Sequence, residues 1–285
     1  MTEKPVPRGL LFDVFGTVVD WRSTVTRALE QTAHKALNDS TKSLATSVRL
    51  RASELLVADW GTFAQQWRNT YKVFCKSIAA DPSLPWKTVD EHHLAALNDL
   101  IAEWKLEGLW TPDEIKTLSL IWHHLDPWPD SSDGIKALNT LFSTATLSNG
   151  NISLLEDLKK HGHLPFTHIF SAELFGSYKP NSRVYLGAVE KLGLEPNEVA
   201  LVAAHLNDLQ AAKSNGLQAI YVERPQEEDW DTEQVEKVRT SGWVDLWVKQ
   251  DEKGFLTVAE KLGVQIVQDP NSTKSRAEDL EMYEV

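Results

Sequence analysis

Short apolar runs that end at polar residues constrain the fold of this chain most strongly. The first run, Leu10-Leu11-Phe12, belongs to a predicted buried strand at residues 8–12 and ends at Asp13, and the next run of this character, residues 144–147, ends at Ser148. Beyond Ser148, apolar runs alternate with stretches of helical periodicity. Since this alternation is typical of βαβ units, the sequence predicts an α/β fold with a doubly wound, Rossmann-like parallel sheet.

The elements that follow Ser148 can be placed from periodicity and from the residues that interrupt it. We expect helices at residues 152–161, 183–192 and 209–215, and strands at residues 167–170, 199–203, 218–222 and 244–248. Open α/β folds bind ligands outside the carboxyl ends of their strands. Residues that directly follow a strand are therefore the first candidates for a functional site.

The long segment between the first two strands has a different pattern. From residue 23 to about residue 122, apolar side chains recur every three or four positions, as in Val25, Leu29, Ala33 and Leu37, or Leu55, Ala58 and Phe63. This periodicity predicts a helical cap inserted after the first strand, and Pro127 and Pro129 mark the return to the core. The expected domains are a core of residues 1–20 and 126–264, a cap of residues 21–125 and a polar tail of residues 265–285 with the composition of a mobile segment.

Composition narrows the functional classes. With 285 residues, 42% of them hydrophobic and 25% charged, the chain is long enough for two soluble globular domains. No window approaches the roughly 18 apolar residues of a membrane helix, and the first residues lack the apolar centre of a signal peptide, so we expect a cytoplasmic protein without a membrane partner. The net charge of −12 argues against binding of nucleic acid. The single cysteine, Cys75, excludes an internal disulfide, and we interpret it as a buried apolar residue.

Asp13 is the candidate nucleophile. A strand that ends in a carboxylate and then turns through Gly16-Thr17 holds that carboxylate rigidly at the edge of the sheet. A fixed, partly desolvated carboxylate that faces an electrophilic carbon gains reactivity through proximity and orientation. In the alternative interpretation, Asp13 only caps the turn that follows it.

Polar groups also follow other predicted strands and turns. Ser148 and Asn149 lead into a helix and offer hydroxyl, amide and backbone N–H groups to an anion, although both are also ordinary helix-capping residues. Lys179 precedes Pro180 and a predicted helix. An ammonium beside Asp13 would keep that carboxylate ionised; the alternative is a surface lysine. Asp208 follows a further strand, where it could orient or deprotonate a water molecule.

Four stretches of the sequence resemble the motifs of the haloacid dehalogenase superfamily. The first motif is matched by Phe12-Asp13-Val14-Phe15-Gly16-Thr17, and the others by residues 147–150, 178–185 and 202–208. Four motifs in the right order, within roughly residues 8–250, make the resemblance specific. It implies that Asp13 forms an ester, that Ser148 helps to bind a substrate carboxylate and that Asn149 helps to bind a departing halide. Thr17 is expected to close the first turn and to bond to Asp13.

At two positions the sequence differs from the phosphatases of this superfamily, and both differences indicate to which branch of the superfamily it is similar. Phe15 stands where they carry an acid–base aspartate, and Ala204 stands where they carry an acid that helps to hold Mg²⁺. An aromatic ring moves no proton, and a methyl group binds no magnesium. Both departures resemble the L-2-haloacid dehalogenases, which work without a metal. The resemblance therefore implies hydrolysis of short 2-haloalkanoic acids to 2-hydroxy acids, with no metal and no cofactor.

The departing halide ion needs an acceptor. Residues 67–71 resemble the cap segment in which a Trp-Arg pair precedes a polar run, so Arg68 is expected to hold the halide, with Arg22 and Arg51 as competitors. His205 stands where the bacterial enzymes carry asparagine. It either takes part in water activation or the halide pocket, or is a hydrogen-bonded structural histidine.

The walls of the site are expected to be apolar. Phe15 and Trp67, with Val14 beside them in the first motif, are assigned to substrate contact, although core packing also explains aromatic residues. Tyr185 either points into the site or packs structurally.

Two other functions stay open. One is a magnesium-dependent phosphatase on the same fold, and the other is a non-catalytic relative whose cap cleft binds a small acid or a protein. The resemblance also allows a homodimer paired through cap or core helices. The sequence leaves open the preferred halogen, chain length and enantiomer.

Overall fold

The computed structural model of the protein describes residues 6–81 and 83–265, and at its centre is a six-stranded parallel sheet. In chain order the strands are β1 (Gly9–Phe12), β2 (Ser143–Ser148), β3 (His168–Ser171), β4 (Val199–Ala203), β5 (Gln218–Val222) and β6 (Leu246–Val248). Their order across the sheet is β3-β2-β1-β4-β5-β6, so the winding reverses between β1 and β4. The predicted doubly wound parallel sheet is confirmed.

The central strands β1 and β4 are apolar along their whole length. Every residue of both strands is buried, because helices cover both faces of a doubly wound sheet. Leu11 lies opposite Ala145 of β2 and Leu201 of β4. Burial of a leucine side chain such as this stabilises the fold by about 1.5–3 kcal/mol. This register brings the residues that follow β1, β2 and β4 to one edge of the sheet.

From residue 21 to residue 123 the described chain is mainly helical. The helices are α1 (Trp21–Asn38), α2 (Thr46–Glu54), α3 (Val57–Ala80), α4 (Val89–Glu103) and α5 (Pro112–Ser119), followed by a 3-10 turn at Leu120–His123. The stripe predicted from Leu55, Ala58 and Phe63 is wrong, since Leu55 lies between α2 and α3 and Ala58 is exposed. The Asp59 carboxylate accepts a hydrogen bond from the backbone N–H of Leu56 and starts a new helix there.

Six helices flank the sheet in the described part of the chain outside this segment. They are α6 (Ser131–Leu138), α7 (Ile152–His161), α8 (Ser182–Leu192), α9 (Leu206–Ser214), α10 (Thr232–Ser241) and α11 (Phe255–Lys261). The sequence does not predict α6, α10 and α11. In α10 only Val238 is buried, so the sequence of this helix lacks the regular spacing of apolar residues from which a helix is predicted. The short helices α6 and α11 pack against each other, and Gly134 allows a close approach to Phe255.

Two chain segments connect the sheet to the helical segment, and they run side by side. Val19 pairs with Pro127 in an isolated bridge, and the N–H of Asp20 donates to the carbonyl of Asp126 at 2.8 Å. The N–H of Trp128 donates to the carbonyl of Val18 at 3.0 Å. These bonds fix the start of the helical segment close to Asp13.

An aromatic cluster joins the helical segment to the sheet. Phe15, just after β1, makes edge-on contacts with Tyr71 of α3 and Trp122 of the 3-10 turn, with ring centroids 5.7 and 6.0 Å apart. Trp122 also stacks on Trp21 of α1. Edge-on and stacked pairs of this kind add about 0.5–1.5 kcal/mol each beyond the burial of their area.

Three further predictions concern the domain bounds, the polar tail and membrane helices. The bounds of the core and cap domains stay a prediction. The predicted tail lies outside the described residues, apart from Gln265. None of the described helices combines the length and the apolar character that a membrane crossing requires.

Candidate active site

Asp13 lies directly beyond β1, at the point where the winding of the sheet reverses. Its backbone N–H donates to the carbonyl of Val202 at 3.0 Å, which extends the pairing of β1 with β4. The hydroxyl of Thr17 donates to Oδ2 of Asp13 at 2.8 Å and accepts a hydrogen bond from the N–H of Ala204 at 3.0 Å. The side chain of Asp13 is therefore anchored to the ends of two strands.

Lys179 bridges two carboxylates. Its Nζ lies 2.9 Å from Oδ1 of Asp13 and 2.5 Å from Oδ2 of Asp208. Burial lowers the pKa of Lys179, but the two carboxylates raise that pKa by more, so the lysine is charged. The hydroxyl of Tyr185 donates to the other oxygen of Asp208 at 2.5 Å. The structure thus brings Asp13, Thr17, Lys179, Asp208 and Tyr185 into one hydrogen-bonded group.

The Asp13 carboxylate is ionised despite its burial. Burial raises its pKa, and Lys179 and His205 together lower it by more, so the pKa of Asp13 lies well below its ordinary value. A nucleophile that is charged at neutral pH needs no base to activate it.

His205 lies between Asp13 and a second acid, Glu227. Its Nδ1 is 3.0 Å from Oδ2 of Asp13, and its Nε2 is 3.3 Å from Oε2 of Glu227. Burial lowers the pKa of His205, but hydrogen bonds to the two carboxylates raise it to about 9. The ring is therefore an imidazolium at neutral pH, with both nitrogens donating.

Glu227 is missing from the sequence-based candidates. It lies in the loop between β5 and α10, and only 5% of its surface is exposed. The indole N–H of Trp21 donates to its Oε2 at 3.0 Å. A Cβ at Gly16 would lie 1.9 Å from the same oxygen, so a glycine is required there. The polar run 226–229 has the pattern of a solvent-exposed loop, which is why the sequence does not single out this glutamate.

Arg68 of α3 supplies a cation from the helical segment. Its guanidinium carbon lies 4.5 Å from the ring centroid of Tyr71, 5.1 Å from that of Phe15 and 5.7 Å from that of Trp21. The residue is only 4% exposed, and its Nε and Nη1 have no hydrogen-bond partner among the described residues. A buried guanidinium with free N–H groups is a ready acceptor for an anion.

The competing arginines lie elsewhere. Arg22 donates to the carbonyl of Gln226 at 3.1 Å, and Arg51 donates to the carbonyl of Trp104 at 3.2 Å. Neither lines the cavity that contains Asp13, whereas Arg68 does. Among these three arginines, only Arg68 is placed to meet a ligand of Asp13.

A cavity of about 230 Å³ brings these groups together. Its walls include Asp13, Arg68, Asn149, Lys179, His205 and Asp208. From α3 it is also lined by Tyr71, Lys72 and Cys75, which follow Arg68 at intervals of three, four and seven residues and so share its helix face. That spacing is the sequence signal by which these wall residues could have been found. Burial raises the pKa of the Cys75 thiol to about 12, so the thiol stays protonated.

Four residues that the sequence analysis assigned to substrate contact lie behind the residues that line the cavity. Ser148 is fully buried, and its hydroxyl accepts a hydrogen bond from the N–H of Gly150 at 3.1 Å. Trp67 donates its indole N–H to the carbonyl of His93 at 3.1 Å. The carbonyl of Val14 accepts from the N–H of Val18, and Phe15 packs on the aromatic cluster. None of these four residues lines the cavity, and their assignment to substrate contact stays a prediction.

Asn149 lines the cavity and also positions Lys179. Its Oδ1 accepts a hydrogen bond from the backbone N–H of Lys179 at 2.7 Å, and its amide nitrogen donates to the Lys179 carbonyl at 3.4 Å. The side chain thereby fixes the backbone that carries the lysine.

The donor set around Asp13 does not fit a magnesium ion. Oδ1 of Asp13 faces the Lys179 ammonium, and Oδ2 accepts from Thr17 and from the His205 imidazolium. Ala204 offers only a buried methyl group on this side. Mg²⁺ requires oxygen ligands, and two cations already occupy the positions around this carboxylate. Within the described ranges, no group of three or more histidine, cysteine, aspartate or glutamate residues is arranged to hold a metal.

A family model described as haloacid dehalogenase-like hydrolase matches residues 7–216. The chain belongs to the haloacid dehalogenase-like hydrolases. This confirms the superfamily predicted from the four motifs.

Individual relatives are named as haloacid dehalogenases. The chain is similar to (S)-2-haloacid dehalogenase 4A of Burkholderia cepacia, with 26% identity over 220 residues that cover 76% of this chain and 83% of that protein. It is also similar to the solved L-2-haloacid dehalogenase PA0810, with 32% identity and a TM-score of 0.70 over 90% of this chain and 100% of that one.

A third relative is the solved defluorinating L-2-haloacid dehalogenase Rha0230. Its identity to this chain is 30% and the TM-score is 0.72, over 90% of this chain and 95% of that one. These similarities confirm the predicted branch and the prediction of a hydrolase of the (S)-2-haloacid dehalogenase type.

Proposed function

We propose that the protein hydrolyses the carbon–halogen bond of short 2-haloalkanoic acids through an ester on Asp13, without a metal ion. In the first step an oxygen of Asp13 attacks the carbon that carries the halogen, from the side opposite the halogen. The carbon–halogen bond breaks, and the halide leaves with the bonding electrons. The products are an aspartyl ester and a halide ion.

The unpaired guanidinium of Arg68 is the observation that carries this proposal. A phosphatase needs its cations on the phosphoryl oxygens next to the nucleophile. Here a buried cation with free N–H groups lies among the rings of Phe15, Tyr71 and Trp21, on the cap side of the cavity. An apolar pocket that ends in a weakly hydrated cation suits a halide that must leave water. Arg68 is therefore assigned to the halide, together with Asn149.

In the second step water attacks the carbonyl carbon of the Asp13 ester. Asp208 lines the cavity, and each of its oxygens accepts one hydrogen bond, from Lys179 or from Tyr185. A carboxylate oxygen can accept a second bond, so Asp208 is able to orient the water and take its proton. The ester then releases a 2-hydroxy acid of inverted configuration.

The size and charge of the cavity support a small anionic substrate. Its volume of about 230 Å³ is below the roughly 300–1,000 Å³ of pockets for drug-sized ligands. Arg68, Lys72, Lys179 and the imidazolium of His205 supply positive charge to a wall that belongs to a protein of net charge −12. The assignment of the substrate carboxylate to Ser148 and to nearby backbone N–H groups requires the serine hydroxyl, which now accepts from the N–H of Gly150, to become accessible from the cavity.

The metal-dependent phosphatase is the weaker alternative. It requires an open carboxylate at Asp13 and a further acidic ligand. Lys179 and His205 occupy the carboxylate, and Ala204 stands at the position of the acid. Chloride release from 2-chloropropionate that continues in EDTA supports the dehalogenase. Activity on phosphate esters that EDTA abolishes would support the phosphatase.

Isotope labelling tests the ester directly. In a single turnover in ¹⁸O-labelled water, the label should enter the Asp13 carboxylate, and the first 2-hydroxy acid released should carry none. A label found in the first product alone would exclude the covalent route.

The Asp13→Asn variant separates an enzyme from a binding protein. It is expected to lose halide release while circular dichroism shows that it is still folded, although it melts at a lower temperature because Lys179 and His205 lose a charged partner. An inactive parent protein that still binds a small acid would favour the non-catalytic relative. A cytoplasmic location and a homodimer belong to the same proposal and are tested by fractionation and by the mass of the protein in solution.

A further inference from the structure

The two oxygens of Asp13 are held differently. Within the described part of the chain, Oδ1 has one donor, Lys179 at 2.9 Å, whereas Oδ2 has two, Thr17 at 2.8 Å and His205 at 3.0 Å. A carboxylate oxygen that already accepts two hydrogen bonds is a poor attacking atom, because its lone pairs are engaged. Oδ1 is therefore the attacking oxygen, and Oδ2 becomes the carbonyl oxygen of the ester.

A second acid lies behind His205 and, together with Asp13, keeps the ring cationic. A neutral imidazole has one N–H donor, and its other nitrogen is an acceptor. Both ring nitrogens of His205 face carboxylate oxygens, at 3.0 Å on Asp13 and 3.3 Å on Glu227. Without the charge of Glu227, formation of the neutral ester would leave the ring with no charged carboxylate in contact among the described residues.

We propose that Glu227 is a positioning residue that keeps His205 doubly protonated throughout the reaction. The imidazolium and the Thr17 hydroxyl then form a cationic oxyanion hole for Oδ2 of the Asp13 ester. This inference rests on the proposed ester mechanism and adds to it a residue from the loop between β5 and α10.

The surroundings of Glu227 fit this role. The indole N–H of Trp21 donates to Oε2, the oxygen that also faces His205, and the glycine at position 16 leaves room for that oxygen. Glu227 is 5% exposed, so water screens its charge weakly. Burial raises the pKa of Glu227, but the bond to His205 and the nearby charge of Arg68 lower it by more, which keeps this acid ionised.

The other charged groups around His205 do not replace Glu227. Asp229, farther out in the same loop, is engaged with Lys72, while Lys179 and Arg68 are cations that oppose a charge on the ring. Asp13 loses its charge when the ester forms. During ester hydrolysis, Glu227 is therefore the carboxylate in contact with His205 that remains charged.

The chemical step balances as follows. As water attacks the carbonyl carbon, a proton of the water passes to Asp208, and the electron pair of the C=O π bond moves onto Oδ2. The oxyanion is held by His205 and Thr17. When the carbonyl re-forms, the bond between that carbon and Oδ1 breaks. The product oxygen takes the proton from Asp208, and the new Asp13 carboxylic acid loses its proton to water.

The Glu227→Gln variant tests the role of the charge while it preserves the shape. The pKa of His205, followed by NMR of its ring, should fall from about 9, and the alkaline limb of activity should move to lower pH with it. Hydrolysis of the ester should slow by about ten- to a hundredfold. This is at most the effect of losing one oxyanion-hole donor, because the variant weakens the donor but does not remove it. Alkylation should slow less, so intact mass spectrometry should find the ester accumulating in single turnover.

Glu228→Gln is the matched control. Glu228 accepts hydrogen bonds from the backbone N–H groups of Leu206 and Trp230 rather than from His205. The same change of charge one residue away should leave the alkaline limb and the level of ester unchanged. A shift as large in this control as in Glu227→Gln would contradict the proposal.

A double-mutant cycle with His205→Asn decides between positioning and general structural support. If Glu227 acts through His205, adding Glu227→Gln to His205→Asn should slow ester hydrolysis no further. An equal loss with and without His205 would overturn the inference. So would a folded Glu227→Gln protein with an unchanged ring pKa. The NMR titration does not depend on halide release, so a failure of the proposed function remains distinguishable.

Discussion

Lys72 of α3 and Asp229 of the loop before α10 form an ion pair across the cavity, with Nζ 2.7 Å from Oδ1. Both residues line the cavity wall, and both side chains keep contact with solvent. Burial and the nearby Arg68 lower the pKa of Lys72. The pair joins the helical segment to the sheet at the site, and it ties up a cation that an anionic substrate could use.

Replacing the acid and replacing the lysine of this ion pair should have opposite effects on KM. Asp229→Asn frees Lys72 and should lower KM for a 2-haloacid about two- to fivefold, because an unpaired cation attracts the substrate. Lys72→Met should raise KM. Each variant should change the free energy of unfolding by about 1 kcal/mol or less, since the pair is partly exposed. Steady-state kinetics at low and high salt provides the measurement, and KM values that rise in both variants would show that closure of the site matters more than charge.

Replacing Lys179 by methionine should abolish halide release and destabilise the fold. The change leaves Asp13 and Asp208 without the cation that both contact, at a cost of about 3–5 kcal/mol for a buried pair that loses one partner. Since Lys179 lowers the pKa of Asp13, the acid limb of any residual activity should move to higher pH. Urea unfolding and a pH profile test both effects. An active variant with an unchanged acid limb would remove Lys179 from the mechanism.

The low pKa of Asp13 also gives the parent protein a defined response to acid. The folded pKa lies below the unfolded value, so the ionised group contributes stability that is present above about pH 4. This contribution is lost as the pH falls toward the folded pKa. The Asp13→Asn variant should therefore show a smaller loss of stability between about pH 4 and pH 2 than the parent protein.

Arg68→Met should lower activity while it leaves stability unchanged or increased. The guanidinium is buried with two N–H positions unpaired, and an unsatisfied buried polar group costs about 1–3 kcal/mol. Methionine fills the same space without that cost. Halide release should fall by about a hundredfold, as expected when a charge-stabilising donor is removed. Arg51→Met is the control, because Arg51 bonds to the Trp104 carbonyl away from the cavity, and a similar loss of activity in this control would argue against a halide role for Arg68.

Gly16→Ala should destabilise the protein for two reasons, the strained backbone and a collision of the new Cβ with Glu227. Gly16 has a φ of +82°, and a Cβ there would meet Glu227 at 1.9 Å. Gly176 has a φ of +59° and open space around it, so Gly176→Ala measures the backbone term alone, about 1 kcal/mol. The expected loss for Gly16→Ala is at least about twice that value. Thermal unfolding of both variants decides the matter, and equal losses would mean that the Glu227 loop yields easily.

The ends of β1 and β2 follow directly from the sequence, because in each case a run of buried strand residues stops at a polar residue, Asp13 or Ser148. Asp13 could be selected in this way, whereas Lys179 and Asp208 were selected from the motifs at residues 178–185 and 202–208, and the structure places the lysine in contact with both acids. The buried face of α3 was harder to predict. The chain breaks between Glu54 and Val57, so the apolar spacing of α2 does not continue into α3. Helix α10 carries too little apolar pattern to be predicted.

Glu227 illustrates what local pattern cannot supply. Its loop is polar, and polar loops normally lie in solvent. Its burial depends on Gly16 and Trp21, which are more than 200 residues earlier in the chain, with a separation of 206 residues between Trp21 and Glu227. No window of sequence contains both sides of that contact. The case of Ser148 is different, because its hydroxyl accepts a hydrogen bond from the N–H of Gly150, only two residues away, and the residue does not line the cavity.

The hydrogen bond from Asp20 to Asp126 means that the helical segment enters and leaves the sheet at almost one point. A segment with adjacent ends can be exchanged as a cassette without disturbing the scaffold that carries it. Asp13, Lys179, Asp208 and His205 all belong to the scaffold, while Arg68 belongs to the cassette. In the proposed mechanism, the residues that break the bond and the residue that receives the leaving group therefore belong to separable lengths of chain, so selection could alter one while it preserves the other.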